Sequence, residues 1–412
     1  MAKLVFDVRS NHDTGVSRYG LSLLPAAAHE LVAGGWELDI VAKPVQQDRA
    51  RDAVTGLGHR ARVHVDSQDE GFLRRSSAVH DLAARADLYY TSHYLLDRLC
   101  PVPFVVTIHD LTRLRLPQFS YSDATFMARF GPSEFHAIQR ELAALAAWQD
   151  PSFAGHGTFT RYFVALNRYL TARAERVVTV SQASASELQH FLPLPADGID
   201  VIPGGVDTTV FRPRTAGEVD AIRRHFLLSG PYLVFVGLAH PNKRLEWLVE
   251  QLLCVRERMP TTARLVAVGG HAEGSTALRR LLGRAGDDFV VFPGRVTDSQ
   301  LAALYSGAAA LVSASISEGY GLPVQEALSC GCEVIAADIP ATRETAGSAV
   351  HRFPPTSGCA LADLACSALG GGLQCRSSVC PPPSWDVAGR RLGRVLERAW
   401  RYSPRQDARI KA

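Results

Sequence analysis

Two glutamates flank a glycine-rich loop in the second half of this chain. Glu318 and Glu326 stand eight positions apart, with Gly319-Tyr320-Gly321-Leu322-Pro323 between them. The surrounding pattern predicts a strand, this loop, a helix and a second strand. Glycines let backbone N–H groups approach an anion closely, and a helix N-terminus adds a favourable dipole. The segment therefore predicts a phosphate site whose two carboxylates can accept hydrogen bonds from sugar hydroxyls. Glutamates at this spacing alone more often indicate a solvated surface.

A lysine after another predicted strand could supply the positive charge that such a phosphate needs. Lys243 closes the run Gly237-Leu238-Ala239-His240-Pro241-Asn242-Lys243, which follows the predicted strand 232–236. Breaking a sugar–phosphate bond adds negative charge to the leaving phosphate, so catalysis requires cations or oriented N–H groups there. Taken alone, Lys243 would more often be a solvated helix lysine.

Short β-branched runs alternate with helical patterns along the chain, which has 412 residues and is therefore expected to form two domains. Strands interleaved with helices favour parallel βαβ units, and ligands in such folds bind at the carboxyl ends of the strands. The predicted fold class is α/β, with two Rossmann-like, doubly wound parallel sheets that face each other across a cleft. The predicted strands are 3–8, 36–42, 62–65, 88–90, 104–108, 177–180, 232–236, 264–268, 289–292, 309–313 and 333–337.

A Pro/Gly-rich stretch near residues 203–214 separates the two series of strands. We therefore predict an N-terminal, acceptor-side domain over 1–203 and a nucleotide-sugar-binding domain over 204–384. An amphipathic helix begins near residue 385, and the segment 385–412 is expected to pack back on the N-terminal domain.

A long insertion, about 113–176, interrupts the first domain and contains helical runs at 134–148 and 160–174. It is interpreted either as a packing insertion or as a lid over an acceptor site, and the pattern does not separate these two. Residues 354–384 carry GGG and CPPPS and show no long helical pattern, which leaves the packing of this part open.

Composition argues against several classes of protein. The net charge is +3, with 47% hydrophobic and 21% charged residues. A general nucleic-acid binder would show a basic stripe. The N-terminus lacks the apolar stretch of a signal peptide, and no uncharged run is apolar enough for a membrane span. We therefore expect a cytoplasmic protein without an integral membrane segment.

Eight cysteines are present, four of them in the C-terminal part of the chain. Cys359, Cys366, Cys375 and Cys380 lack the paired C-x2-C spacing of zinc knuckles, so free thiols are the preferred interpretation. No D-x-D cluster indicates a divalent metal. We expect neither a metal site nor a cofactor.

The segment from Ile316 to Glu344 resembles the nucleotide-sugar signature of retaining glycosyltransferases of family 4, which have the GT-B fold. Other runs resemble motifs of that family in the same order. They are G-V-S-R-Y at 15–19, T-I-H-D-L at 107–111, I-P-G-G-V-D at 202–207 and F-P-G-R-V at 292–296. The resemblance covers about residues 4–350.

The resemblance implies roles for three charged residues. Lys243 would bind the donor diphosphate and act in catalysis, and Glu326 would accept hydrogen bonds from the ribose hydroxyls. Glu318 would orient the sugar and stabilise positive charge at the anomeric carbon. The remaining donor-binding residues that it implies are Gly15, Gly237, Arg295, Val296, Tyr320, Gly321 and Leu322.

One position departs from the family pattern. Many members carry an arginine directly after Gly237, where this chain has Leu238. Arg244 or Arg295 could substitute for it.

In the N-terminal half, His109 follows a predicted strand. A lone histidine is more often structural, but the H-D match favours a catalytic role in contact with the transferred sugar. Asp110 is interpreted as a capping residue or an acceptor contact, and His12 and Asp13 as acceptor contacts. The loop that ends at Gly15 lacks the G-x-G-x-x-G of a dehydrogenase.

The resemblance implies a retaining enzyme that moves a hexosyl or pentosyl group from a UDP- or GDP-sugar to an acceptor hydroxyl. The acceptor could be a small natural product such as an aminocyclitol or aminoglycoside precursor. Acidic residues of the insertion, Asp123, Glu134, Glu141 and Asp150, could neutralise its positive charge. Alternatives are a transferase for cell-surface polysaccharide or glycolipid, a non-catalytic sugar-nucleotide-binding protein of the same fold, and a related phosphorylase with a pyridoxal cofactor.

Overall fold

Two parallel sheets organise the chain. The structure, a computed structural model, describes residues 1–10, 15–67, 76–93, 100–238, 240–260, 262–269, 276–285, 289–373 and 383–402. Two units are present, one comprising Met1–Gly204 and Pro383–Ala412, the other Gly205–Pro382. Each unit holds one sheet, so the predicted α/β class with two doubly wound parallel sheets is confirmed.

The first unit contains a sheet in the order β3-β2-β1-β4-β5-β6-β7, with every neighbouring pair parallel. The order reverses direction between β1 and β4. In such sheets ligands bind beyond the carboxyl ends of the strands at this switch point. The strands are β1 Lys3–Asp7, β2 Glu37–Ala42, β3 Ala61–Val65, β4 Leu88–Thr91, β5 Phe104–Thr107, β6 Arg176–Thr179 and β7 Ile199–Val201. The helices are α1 Gly15–Ala33, α2 Gln47–Ala53, α3 Ser77–Ala84, α4 Thr112–Arg115, α5 Asp123–Phe130, α6 Pro132–Ala144, α7 Thr158–Arg173 and α8 Gln182–Phe191.

The insertion between β5 and β6 is helical and packed. Helices α4 to α7 lie in it, and their buried side chains Phe126, Ile138 and Phe159 belong to the same apolar cluster as Val106 of β5. The two predicted helical runs correspond to α6 and α7. The described structure therefore gives the insertion a packing role, and the lid interpretation stays a hypothesis.

The second unit repeats the doubly wound order in the sheet β10-β9-β8-β11-β12-β13, again with parallel pairs only. Its switch point lies between β8 and β11. The strands are β8 Tyr232–Val236, β9 Arg264–Val268, β10 Val290–Val291, β11 Ala310–Ser313, β12 Val334–Ala337 and β13 His351–Phe353. The helices are α9 Ala216–His225, α10 Leu245–Cys254, α11 Thr276–Ala285, α12 Asp298–Gly307, α13 Leu322–Ser329, α14 Pro340–Ala346 and α15 Gly358–Leu369. The sequence showed no long helical pattern in 354–384, but the first part of that stretch forms helix α15.

The final helix, α16 Trp385–Arg401, belongs to the first unit and packs on α1. Gly389 permits this close approach, because a Cβ atom there would lie 2.6 Å from the carbonyl oxygen of Leu23. Likewise, a Cβ atom at Gly393 would lie 3.0 Å from the Cβ of Glu30. The two glycines therefore let the backbones of α16 and α1 come together.

Candidate functional site

A small pocket lies at the switch point of the second unit. Its lining joins the carboxyl ends of two neighbouring strands to the glycine loop that precedes α13. Lys243 and Glu318 contribute the charged groups of the lining. The other lining residues are Phe235, Val236, Leu311, Val312, Ser313, Ser315, Gly321, Pro323 and Val324.

Lys243 and Glu318 form an ion pair in this pocket. The Nζ atom of Lys243 lies 2.5 Å from Oε1 of Glu318, and the side chains are 22% and 13% exposed. Partial burial strengthens such a pair relative to one in open solvent. The residues that sequence reasoning assigned to the diphosphate and to the sugar therefore meet directly.

Local backbone geometry places the lysine. Pro241–Lys243 form a short 3-10 turn after β8, and Arg244 ends it in the left-handed conformation, with φ of 58°. The aliphatic part of Lys243 lies against Gly237, where a Cβ atom would be 3.6 Å from Cδ of the lysine. The turn therefore directs Lys243 back over the end of β8.

The glycine loop ends at Gly321, which caps α13 with φ of 88°. This left-handed conformation is readily adopted by glycine, and the following Leu322 and Pro323 open the helix. The N-terminus of α13 thus reaches the pocket. The side chain of Tyr320 is buried, which raises its pKa to about 12, with a further contribution from Glu344.

Glu326 lies one turn further along α13 and is buried, with 5% exposure. Glu326 is not among the residues that line the pocket. Burial raises the pKa of the Cys330 thiol to about 12, and the Glu326 carboxylate contributes to that rise.

Arg295 and Val296 follow β10 at the same edge of the sheet. The carbonyl of Gly294 accepts a hydrogen bond from the N–H of Gly269 at 3.1 Å. Gly269 in turn approaches Gly237 so closely that a Cβ atom would lie 3.3 Å from its carbonyl oxygen. The three glycine backbones therefore connect the segment of Arg295 to the pocket edge, while the Arg295 side chain is exposed.

Arg244 does not join the pocket lining as a substitute cation. Its guanidinium donates to the carbonyl of Pro355 at 2.5 Å and stacks 3.5 Å from the ring centroid of Trp247. Burial lowers its pKa. Leu238, at the position where many family members have arginine, is 40% exposed.

In the first unit, His109 lies two residues beyond β5. Its Nε2 atom donates to the carbonyl of Ser92 at 2.8 Å, because a carbonyl can only accept. Burial lowers the pKa of His109, although the bond to Ser92 and the Asp110 carboxylate act in the opposite direction. The ring packs edge-on against Tyr19, with centroids 4.9 Å apart. The neutral ring therefore carries its hydrogen on Nε2 and leaves Nδ1 as an acceptor.

Asp110 accepts a hydrogen bond from the N–H of Thr112 at 2.9 Å, although the N-cap position of α4 is occupied by Leu111. Gly15 is the first residue of α1 rather than the end of the preceding loop. His12 and Asp13 lie outside the described residues, as do Cys375 and Cys380.

Two of the four acidic residues of the insertion, Asp123 and Asp150, form local contacts. Asp123 accepts hydrogen bonds from the N–H and hydroxyl of Thr158, at 2.7 and 3.0 Å. Asp150 caps a 3-10 turn through Ser152 and pairs with Arg168 at 3.1 Å. Glu141 is buried at 7% exposure, and Glu134 lies in the first turn of α6. The contacts of Asp123 and Asp150 weaken the expectation that these two residues neutralise a cationic acceptor.

Sequence reasoning missed a buried ion cluster at the carboxyl edge of the first sheet. Arg9 binds Asp7 at 2.9 Å and Asp66 at 2.8 Å, and Lys43 lies 3.2 Å from Asp66. Tyr89 donates to Asp7 at 2.5 Å. Burial would raise the pKa of Asp7, but Arg9 and these hydrogen bonds lower it overall. The charges, directly after strands, were the signal that could have found it.

Sequence reasoning also missed Ser313 and Ser315, which line the pocket at the end of β11. Polar residues that follow an apolar strand were the available signal. Among the described residues, no group of three or more His, Cys, Asp or Glu side chains could hold a metal ion. The described helices include none with both the length and the apolarity needed to cross a membrane.

Two family models match the chain. The model described as Glycosyltransferase Family 4 matches residues 26–210, and the model described as Glycosyl transferases group 1 matches residues 230–370. The first match lies in the first unit except for residues 205–210, and the second match lies in the second unit.

Relatives of known name are similar over part of the chain. The D-inositol 3-phosphate glycosyltransferase of Acidothermus cellulolyticus is 33% identical over 180 residues, which cover 41% of this chain and 40% of that protein. The O-antigen chain mannosyltransferase B of Escherichia coli is 30% identical over 180 residues, or 43% and 46% of the two chains. The matched part thus spans less than half of either relative.

A solved structure shares the fold over nearly the full length. Anabaena HepE in complex with UDP-glucose matches with a TM-score of 0.62 and 15% identity, covering 96% of this chain and 95% of that one. At this identity the likeness concerns the fold alone, which is GT-B.

Proposed function

Because the chain belongs to the family 4 glycosyltransferases, we propose that it transfers a sugar from a nucleotide sugar to an acceptor hydroxyl with retention of configuration. The observation that carries this proposal is the convergence of Lys243, Glu318 and the start of α13 on one pocket. A cation and a helix N-terminus suit a diphosphate, and a carboxylate suits sugar hydroxyls and positive charge at the anomeric carbon.

In the proposed reaction, the bond between the anomeric carbon and the phosphate oxygen breaks. A bond from the acceptor oxygen forms on the same face of the sugar, and the acceptor proton passes to the leaving phosphate. Lys243 stabilises the charge on the diphosphate, and Glu318 the charge on the sugar. With a lysine in this role, the proposed mechanism requires no metal. The family resemblance supports retention and a sugar-contacting role for His109.

A UDP- or GDP-sugar is the proposed donor, which would use the backbone near Arg295 for the base and Glu326 for the ribose. The UDP-glucose bound to HepE supports this class of donor. For the acceptor, the names of the relatives support a cyclitol or a sugar hydroxyl. A cyclitol acceptor has the same type of ring as the aminocyclitol of our sequence-based hypothesis, but it does not need to carry a cationic group.

Direct assay tests the proposal. The protein is incubated with UDP- and GDP-sugars, each with myo-inositol 3-phosphate, an aminocyclitol or a mannoside as acceptor. We expect release of nucleoside diphosphate together with a new glycoside, whose anomeric configuration is assigned by NMR. An inverted product would contradict retention, and turnover with none of these donors would contradict the transferase proposal.

Leu238 supports a second candidate function, a sugar-nucleotide-binding protein without catalysis. The arginine usual at this position is absent, and Arg244 is engaged by Pro355 and Trp247. Tight nucleotide binding without transfer or hydrolysis in the same assay would favour this candidate.

A further inference from the structure

Asn242 connects the turn that carries Lys243 to the loop that carries Glu318. Its side-chain amide donates to the carbonyl of Ser317 at 3.2 Å. Its own carbonyl accepts a hydrogen bond from the N–H of Ile316 at 3.0 Å. One residue therefore makes two bonds to consecutive positions just before Glu318.

The loop needs such a connection because it has no regular structure of its own. Strand β11 ends at Ser313 and α13 begins at Leu322, so Glu318 stands between two elements. A residue in a loop is held in place by contacts rather than by a ladder of backbone bonds. The ion pair between Lys243 and Glu318 is the third contact between the same two segments.

We propose that Asn242 is a positioning residue that holds Glu318 against Lys243 and so determines how strongly this carboxylate competes with a donor diphosphate for the lysine. The inference rests on the proposed function for its catalytic consequence. The effect of Asn242 on the Lys243–Glu318 ion pair can be measured from UDP binding alone. Asn242 itself lies outside the set of pocket-lining residues and acts through Glu318.

A structural role for Asn242 would give a different result from a positioning role. Loss of a hydrogen bond would lower stability in either case. Only the loss of a positioning residue would change the UDP affinity of the pocket by an amount that depends on the Glu318 carboxylate. A double-mutant cycle between Asn242 and Glu318 measures that dependence.

The experiment uses the full chain and the variants Asn242→Ala, Glu318→Gln and their double mutant. Asn242→Leu, which keeps the number and branching of the side-chain heavy atoms but lacks the N–H donor, is measured in parallel. The probe is UDP, with GDP alongside, followed by calorimetry, and donor turnover is recorded separately. Gln325→Ala is the matched control. It removes an amide-to-carbonyl bond of 2.8 Å, to Thr345, within the same unit.

We expect Asn242→Ala to tighten UDP binding about fivefold, the equivalent of one hydrogen bond of about 1 kcal/mol. The reason is that Glu318 then neutralises Lys243 less effectively. In the Glu318→Gln background the same substitution should change UDP affinity by less than about twofold. Gln325→Ala should lower the melting temperature and leave UDP affinity unchanged.

Turnover should fall about fivefold in Asn242→Ala and should not fall further when the substitution is added to Glu318→Gln. The proposal is overturned if Asn242→Ala and Asn242→Leu behave like Gln325→Ala, or if their effects persist in full without the Glu318 carboxylate. If wild-type protein binds UDP but transfers no sugar, the proposed function fails while the binding cycle still decides the role of Asn242.

Discussion

The Nζ atom of Lys243 lies 2.5 Å from Oε1 of Glu318, so the cation proposed for the diphosphate is already paired with the carboxylate proposed for the sugar. A diphosphate that approaches Lys243 must compete with this carboxylate. Binding of the donor would then release Glu318 toward the sugar. Under the proposed function, the ion pair would link recognition of the phosphate to the placement of the carboxylate proposed for catalysis.

Removing the cation should abolish most of the activity. We expect Lys243→Ala to lower turnover by about 100-fold, because loss of one strong electrostatic donor costs on the order of 3 kcal/mol in comparable sites. Steady-state assays with a nucleotide sugar measure this. Arg258→Ala is the control, since it removes an exposed cation paired with Asp363 in the same unit. Activity of Lys243→Ala within a few-fold of wild type would place the diphosphate elsewhere.

Removing the carboxylate should have opposite effects on binding and on turnover. Glu318→Gln deletes the negative charge that pairs with Lys243, so UDP should bind more tightly than it does to wild type. Turnover should fall, because positive charge at the anomeric carbon then lacks its partner. Calorimetry tests the expected change in UDP affinity, and initial rates test the expected fall in turnover. Weaker UDP binding would show that Glu318 does not compete with the diphosphate.

Glu326 should affect donor binding more than turnover. Its proposed contacts with the ribose are similar in the ground state and the transition state, and such uniform binding appears in KM rather than in kcat. Glu326→Gln should therefore raise KM for the nucleotide sugar at nearly constant kcat. A melting curve checks the fold, because the residue is buried. A drop in kcat with KM unchanged would reverse the roles of the two glutamates.

Chelation should leave activity nearly unchanged. Lys243 and the N-terminus of α13 supply positive charge at the pocket, so the proposed mechanism does not depend on a divalent ion. Assays before and after treatment with EDTA test this. Loss of activity that magnesium or manganese restores would require a metal at the diphosphate.

Continuous apolar runs made much of the fold predictable. Strands β8 and β9 agree with their predicted bounds at both ends, because each is a short β-branched run that becomes buried. Strands β7 and β13 were missed, since Ile199–Val201 and His351–Phe353 are three residues long and contain charged or polar residues. Helix α15 was missed because it begins with Gly358 and contains two cysteines, and both residue types have a low helix propensity.

The spacing of residues predicted which segments could bind a phosphate, but it did not predict side-chain pairing. Lys243 and Glu318 are 75 positions apart, so their contact depends on how β8 and β11 pair in the sheet. The sequence also did not predict where the Arg244 side chain points. Its left-handed backbone places the guanidinium on Trp247, where the sequence suggested a second phosphate cation.

His109 should make stability depend on pH below neutrality. Burial lowers its pKa from the ordinary value of 6.5, so the native state binds this proton more weakly than the unfolded chain does. Its contribution to stability is therefore present above pH 6.5 and is lost as the pH falls through the lowered value. His109→Gln, whose amide can still donate to Ser92, should melt at temperatures that decline less steeply between pH 7 and about pH 5. Asp7, whose pKa is also lowered, acts at more acidic pH, since its ordinary value is 3.8. Parallel pH profiles for wild type and variant would show that His109 has the same pKa in the folded and unfolded states, which would contradict the lowered pKa of the buried ring.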